Sequence, residues 1–428
     1  MYTRSLLSAQ ALVALNLLVQ PTLGAYTLEH SMTGENFFSN FNFFTGKDPT
    51  DGFVTYVDEA TAKKGELIST KSDGIYIGVD TKTKLQENGP GRNSIRLEGK
   101  TSFNHGIVTL DVKHAPTGCG LWPALWLLNP SKPWPGNTGE VDIFEVTHNT
   151  DQNAMTLHTS EGCTIKNEGM AGQVKTTNCW TQAPGQQANE GCQVLAPSNL
   201  QSPVKASKRA ASKGVATAGK PFNDQQGGMY AVVWSSQSIE TYFFPRNEIP
   251  PELAIGGKGG RGNGTTKADK PKQSGKPKSG KESNASAPKA AGTAATKPKR
   301  DATVPAGAAK TSAAADKAST AAKPKSSSSA PASKSSAGGR TVDPASWKKS
   351  GIKPLAVFAG CDLDKHIADL SVIINTDFCG EWAGATWASS GCAASTGVST
   401  CNAYVAGHPE AFKEAHWLLG GVEIWKGS

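Results

Sequence analysis

Residues 257–340 cannot contribute to a folded core, and this divides the chain into what can fold and what interrupts it. The segment has no aromatic residue, no Leu, Ile or Met, and a single valine, Val304; it is built from Ala, Ser, Lys, Gly, Pro and Thr. Such a composition buries too little apolar surface to offset the entropy of ordering, so it is predicted to be a disordered low-complexity insertion. A shorter stretch, residues 201–220, carries Lys205, Lys208, Arg209, Lys213 and Lys220 without an acid and reads as a second, basic insert. Closure entropy grows slowly with loop length, so one fold tolerates both. Elsewhere the chain alternates. Val108, Leu110 and Val112 face one way and Thr109, Asp111 and Lys113 the other, while Met155 and Leu157 oppose Thr156 and His158. Further short strands read at residues 230–234, 239–244, 371–375 and 422–425, and only residues 409–415, opening on Pro409, read as a short helix. Short strands between Gly, Asn, Asp and Pro turns predict an all-β antiparallel sandwich, a single domain over residues 26–428.

Residues 1–25 carry one charge, Arg4, then an apolar run from Leu6 to Val19, then small residues ending at Gly24 and Ala25. This is the pattern of a secretory signal peptide. The apolar run is shorter than the ~20 residues of a membrane span, and no other stretch is apolar enough for one, so a secreted, extracellular protein without a membrane span is expected. Eight cysteines, Cys119, Cys163, Cys179, Cys192, Cys361, Cys379, Cys392 and Cys401, follow the leader. An even count in an oxidising compartment predicts up to four disulfides with the pairing open, and the lack of any C-x-x-C pair argues against zinc. Neither a site metal nor a cofactor is expected, and the sequence leaves a structural calcium open. The chain is +8 overall, yet residues 257–340 hold 18 basic against 4 acidic side chains; without that tract and Arg4 the remainder is −7. The positive charge therefore belongs to one tract. It suits adhesion to anionic cell-wall or capsule polymers, with an inert solvated spacer as the alternative, rather than a nucleic-acid partner. The same tract holds two glycosylation sequons, at Asn263 and Asn284, and the dibasic pair Lys299-Arg300, which mark it for glycosylation and cleavage during secretion.

Glu140, Val141, Asp142, Ile143, Phe144 and Glu145 put three carboxylates on one short strand. Alternation sends Glu140 and Asp142 to one face and Glu145 to the other, whereas a one-residue β-bulge returns Glu145 to their face. With the bulge the Cα atoms of the two glutamates stand roughly 13 Å apart at ~3.3 Å per residue. Acids this close raise one another's proton affinity and titrate as a group. Read by themselves, the six residues also suit a surface strand with solvated acids.

The flanking residues favour a site. Gly118-Cys119-Gly120-Leu121-Trp122-Pro123-Ala124-Leu125-Trp126, then Trp134-Pro135 and Gly139, precede the strand, and Thr156-Leu157-His158-Thr159-Ser160 follows it. Together with Tyr76-Ile77-Gly78-Val79-Asp80, Gly91-Arg92-Asn93-Ser94-Ile95-Arg96, Phe243-Phe244-Pro245-Arg246 and Asn375-Thr376-Asp377-Phe378-Cys379-Gly380-Glu381-Trp382-Ala383-Gly384, this run resembles glycoside hydrolase family 16. The subgroup is that of fungal laminarinase-like endo-β-1,3(4)-glucanases, and the likeness covers nearly all of residues 26–425 apart from the two basic tracts, which depart from the family pattern. It implies a concanavalin A-like β-jelly roll with a cleft across its concave face. It also implies secreted, endo-acting hydrolysis of β-1,3 or mixed β-1,3-1,4 glucosidic bonds with retention, for which carboxylates about 5 Å apart are suited.

By motif position the resemblance makes Glu140 the nucleophile, Glu145 the general acid/base and Asp142 the residue that hydrogen-bonds Glu140. It places His158 beside the acid/base. Trp126, Trp134 and Trp382 are expected as platforms for sugar rings and Arg92 as a contact to sugar hydroxyls, with a structural ion pair as its alternative; Trp122 and Trp234 read as packing. The same residues would serve a transglycosylase. A non-catalytic β-glucan-binding protein on this fold would require loss of Glu140 or Glu145, and both are present. The expected partner is a β-glucan polysaccharide, met by a monomer.

Overall fold

In the computed structural model, which describes residues 24–136, 138–200, 214–255 and 339–427, the alternating segments form two antiparallel sheets. One has eight strands in the order Gln173–Val174, Cys192–Leu195, Ala154–His158, Glu140–Glu145, Leu121–Leu128, Leu370–Phe378, Arg96–Phe103 and Phe41–Phe43. The other has nine and is built around Trp417–Gly427, Gly106–His114 and Gly228–Trp234. Val108, Leu110 and Val112 from the second sheet share one core with Val141, Met155 and Leu157 from the first. Each such side chain contributes about 1.5–3 kcal/mol by leaving water. The strands expected at residues 230–234, 239–244, 371–375 and 422–425 lie within Gly228–Trp234, Ile239–Pro245, Leu370–Phe378 and Trp417–Gly427. This is the predicted sandwich.

Helices are more numerous than expected. Glu59–Lys64, Gly219–Asp224, Pro344–Lys349, Cys392–Thr396 and Cys401–Gly407 are α-helical, while the one helix read from sequence is a 3-10 turn, Pro409–Phe412. Elements of five to seven residues are too short to show a helical period. Three of these five have a capping residue as the available signal: Asp58 accepts from the Thr61 N–H at 2.7 Å, Asp343 from Ala345 at 2.9 Å and Thr400 from Ala403 at 3.2 Å.

The signal-peptide pattern and most of both basic tracts lie outside the described residues, but each tract ends sooner than composition predicted. Ala216, Thr217 and Ala218 are buried, the Tyr230 hydroxyl donates to the Thr217 carbonyl, and the Gln225 amide brackets Ala216. Arg340 likewise belongs to the sandwich. It donates to Glu423 Oε1 at 2.5 Å and to the carbonyls of Glu252 and Ala254 at 3.0 and 3.3 Å, and it lies over the Trp425 ring. A composition window cannot separate these residues from their neighbours, because what distinguishes them is a partner far away in sequence. All eight cysteines pair, as Cys119–Cys392, Cys163–Cys361, Cys179–Cys192 and Cys379–Cys401. The first and last of these bonds pin residues 379–401 against the start of the strand Leu121–Leu128.

Candidate active site

The strand Glu140–Glu145 carries the bulge. Against Leu121–Leu128, Asp142 faces Trp126, Phe144 faces Leu125 and Glu145 faces Ala124, which leaves Ile143 as the extra residue; the register against Ala154–His158 breaks at the same point. Ile143 and Phe144 can then both bury, Phe144 among Phe222, Tyr230 and Trp417, while Glu145 returns to the face of Glu140 and Asp142. Asp142 is only 2 % exposed, whereas the two glutamates stay partly open. His158, register partner of Glu140, sets Nε2 3.1 Å from Asp142 Oδ2. The donor atoms of Glu140, Asp142 and His158 lie within 4.8 Å of one another, the one such group able to hold a cation among the described residues. The His158–Asp142 hydrogen bond accounts for that proximity.

Burial pushes all three carboxyls up. Glu140 rises to about 8, mostly by desolvation and then by the charge of Asp142, with His158 and a hydrogen bond from Trp134 pulling back. Glu145 rises to about 8 for the same two reasons, opposed by a hydrogen bond from Trp122. Desolvation takes Asp142 to about 7, against a hydrogen bond with Glu140. Groups this close lose protons as a set. The cluster therefore keeps at least one carboxyl protonated at a pH where free acids are ionised.

Four indoles surround the carboxylates. Trp134 is 41 % exposed and its ring centroid stands 6.0 Å from His158. Trp126 is held at its edge by Nε1–H donation to Asn375 Oδ1 at 2.7 Å, with the Arg96 guanidinium 5.0 Å from its ring. Trp382 meets Trp122 edge to face with centroids 5.7 Å apart, and the Trp122 Nε1–H donates to Glu145 Oε1 at 2.6 Å. Flat apolar faces beside charged groups are what a sugar ring needs, its C–H face stacking and its hydroxyls bonding.

The chain matches the model of the XgeA-like catalytic GH16 domain over residues 41–286 and 325–425. It belongs to glycoside hydrolase family 16. An endo-1,3(4)-β-glucanase of Arthroderma benhamiae is 30 % identical over 97 % of this chain and 68 % of its own length. A probable endo-1,3(4)-β-glucanase of Aspergillus flavus is 29 % identical over 97 % of this chain but 47 % of its own length, so the chain spans about half of that longer relative. Among solved structures, the GH16 laminarinase 16A of Phanerochaete chrysosporium, with β-glucans in both its donor and acceptor sites, is 28 % identical. Its TM-score is 0.64, over 94 % of this chain and 100 % of that one. A structure described as an elongating GH family 16 β-1,3-glucosyltransferase is 26 % identical with the same TM-score of 0.64 over 94 % of this chain and 100 % of that one. The sandwich is accordingly the family 16 jelly roll, and the chain carries a glycoside hydrolase catalytic domain.

Of the residues expected in this family 16 cleft, the fold brings together Glu140, Asp142, Glu145, His158, Trp126, Trp134 and Trp382. Arg92 is not among them. It is 0 % exposed, and its donors go to the carbonyls of Asp80 at 2.8 Å, Thr83 at 3.1 Å and Val405 at 3.1 Å, with the guanidinium 5.1 Å from the Phe412 ring. A guanidinium with its donors committed to backbone has none left for a sugar. Its distance from Asp80 Oδ2, 4.0 Å, makes the structural ion pair the better reading. Trp234, 2 % exposed, is core, as expected. Trp122 is the reverse case: read as packing, it holds Glu145. Asn153 was not anticipated at all, although an amide next to a bulged strand is the residue type able to satisfy the bulge.

Proposed function

We propose that this cleft cleaves internal β-1,3- and mixed β-1,3-1,4-glucosidic bonds with retention of configuration, and that it does so outside the cell. Glu140 attacks the anomeric carbon from below the ring while Glu145 gives its proton to the departing glycosidic oxygen. The C–O bond to the leaving sugar breaks and an ester to Glu140 forms. Glu145, now ionised, takes a proton from water, which attacks the same carbon and releases Glu140. Asp142 holds Glu140 by a hydrogen bond, and His158 holds Asp142. Trp126, Trp134 and Trp382 stack the glucose units so that little freedom remains to be lost at the reacting bond. The observation that carries this reading is the bulge at Ile143, which sets two glutamates of different surroundings on one face of one strand. The leader pattern and four disulfides support extracellular action.

Proton NMR of the first products from laminarin tests the stereochemistry: two displacements at one carbon release the β-anomer first, and an initial α-anomer sinks the double displacement. Glu140→Gln and Glu145→Gln are expected to lower kcat on laminarin by a factor of about 1000 or more with the fold intact. A Glu140→Gln enzyme keeping a tenth of the activity removes that residue from the chemistry. Products longer than the substrate at high laminarin concentration would show a sugar hydroxyl outcompeting water for the same intermediate, the behaviour that the glucosyltransferase neighbour's description names.

A further inference from the structure

We infer that Asn153 is a positioning residue for the proton donor: its side-chain amide fills the gap the bulge opens in the ladder and thereby fixes where Glu145 points. The inference rests on the role proposed above for Glu145. A bulge leaves backbone groups without ladder partners, and here the gap lies toward Ala154–His158, between the pairs Asp142↔Thr156 and Glu145↔Ala154. Asn153, the residue before that strand, is 0 % exposed. Its Nδ2–H donates to the Ile143 carbonyl at 2.8 Å and its Oδ1 accepts from the Glu145 N–H at 2.9 Å. One amide thus replaces the missing peptide group.

Asn153 is itself held on both sides. Its N–H donates to Thr217 Oγ1 at 3.2 Å, its carbonyl accepts from Ala196 at 2.8 Å, and Thr217 is fully buried. Glu145 is therefore gripped at its backbone by Asn153 and at its carboxylate by Trp122. No other residue type of this size both donates and accepts in the required directions. Aspartate at this position keeps the shape but, when ionised, turns an acceptor toward the Ile143 carbonyl. When protonated it donates again.

The test compares two substrates on the full chain. Laminarin needs its leaving oxygen protonated; 2,4-dinitrophenyl β-laminaribioside does not. Asn153→Asp is expected to lose about 100-fold in kcat on laminarin, the scale of a misplacement of about 1 Å, with KM changed less than about threefold. On the dinitrophenyl substrate the loss in kcat/KM, which reports the first displacement, is expected to shrink below about threefold, because proton donation is no longer required there; kcat on that substrate still falls, since Glu145 acts as base when water attacks. The ratio of variant to wild-type activity on laminarin should also recover as pH falls and the introduced carboxyl regains its proton. Thr217→Val, which removes the acceptor for the Asn153 N–H, keeps the question answerable where Asn153→Asp does not fold; it should show the same substrate dependence at smaller size. Equal losses in kcat/KM on both substrates, beside a Glu145→Gln control whose kcat/KM still depends on the leaving group, overturn the inference and leave Asn153 a structural residue. A Glu145→Gln control indifferent to the leaving group overturns the role of Glu145 as well.

Discussion

Trp122→Phe probes how the fold sets the acid strength of Glu145. The indole N–H stands 2.6 Å from Glu145 Oε1, and it opposes the desolvation that lifts this carboxyl to about 8. A hydrogen bond donated to an ionised group is worth about 1.5–3 kcal/mol. At about 1.4 kcal/mol per pKa unit, losing it raises the proton affinity of Glu145 by roughly one to two units. The sign follows from which form is stabilised: the donor favours the carboxylate, so its removal favours the acid. The alkaline limb of kcat/KM against pH, where the free enzyme loses the donated proton, should therefore move up by about one unit. Phenylalanine preserves an aromatic edge against Trp382, now met at 87° with centroids 5.7 Å apart, so KM should change less than the profile. The assay is kcat/KM on laminarin across the pH range for wild type, Trp122→Phe and a Trp382→Phe control. An alkaline limb that stays put, or moves toward acid, refutes the reasoning; movement of the acid limb alone would place the influence of Trp122 on another member of the carboxyl group.

Asp142→Asn should reduce activity yet gain melting temperature over wild type as pH rises. Burial holds the Asp142 carboxyl at about 7, so the folded state keeps a proton that the unfolded chain releases near pH 4; ionising it in place penalises folding progressively from there to about pH 7. Scanning calorimetry at pH 4 and pH 8 checks this, and a stability difference that does not widen with pH contradicts it. Arg92→Gln should lower stability by about 3 kcal/mol, the usual cost of stripping partners from a buried network, while KM for laminarin stays unchanged; a raised KM with full stability would return Arg92 to the cleft. Replacing residues 256–338 by a short Gly/Ser linker should leave activity on soluble laminarin intact, because Arg340 already ties the chain after the gap to the Glu252 and Ala254 carbonyls before it. Retention on isolated cell walls should fall, and the wild-type retention should weaken as salt shortens the reach of the charges to about 8 Å at physiological strength; retention that is unchanged leaves the tract a spacer.

The strands were legible because each writes its own pattern locally. So was the bulge, since only an extra residue reconciles Glu140, Asp142 and Glu145 on one face with a strand whose other residues are apolar. What resisted reading, apart from helices too short to show a period, was a side chain's partner that the local pattern does not name. Arg92 stands in a stretch that resembles family landmarks, but its environment is set by the Val405 carbonyl, 313 residues on. Trp122 shares the face of Trp126, which sequence shows; that it reaches Glu145 depends on the slip in register at Ile143. Asn153 is an ordinary polar residue before a strand until the neighbouring bulge is known to leave a carbonyl and an N–H unpaired. Arg340 closes a composition-biased tract, and its contacts with Glu423, with the Glu252 and Ala254 carbonyls and with the Trp425 ring remove it from that tract.

Placing a long tract inside a catalytic sandwich costs less than its length suggests. The bond Cys163–Cys361 joins residues 198 apart, on either side of the gap. Cross-linking a loop of that size removes enough freedom from the unfolded chain to be worth about 5 kcal/mol. Residues 256–338 lengthen that loop in sequence less than twofold, and each doubling of a flexible loop costs only about 0.6 kcal/mol to close. The disulfide gains from the same logarithm, since a longer loop has more freedom to lose before folding. Length is therefore nearly neutral for the fold. Whether the tract's charge gives it a role beyond that of a spacer is what the salt dependence of wall retention measures.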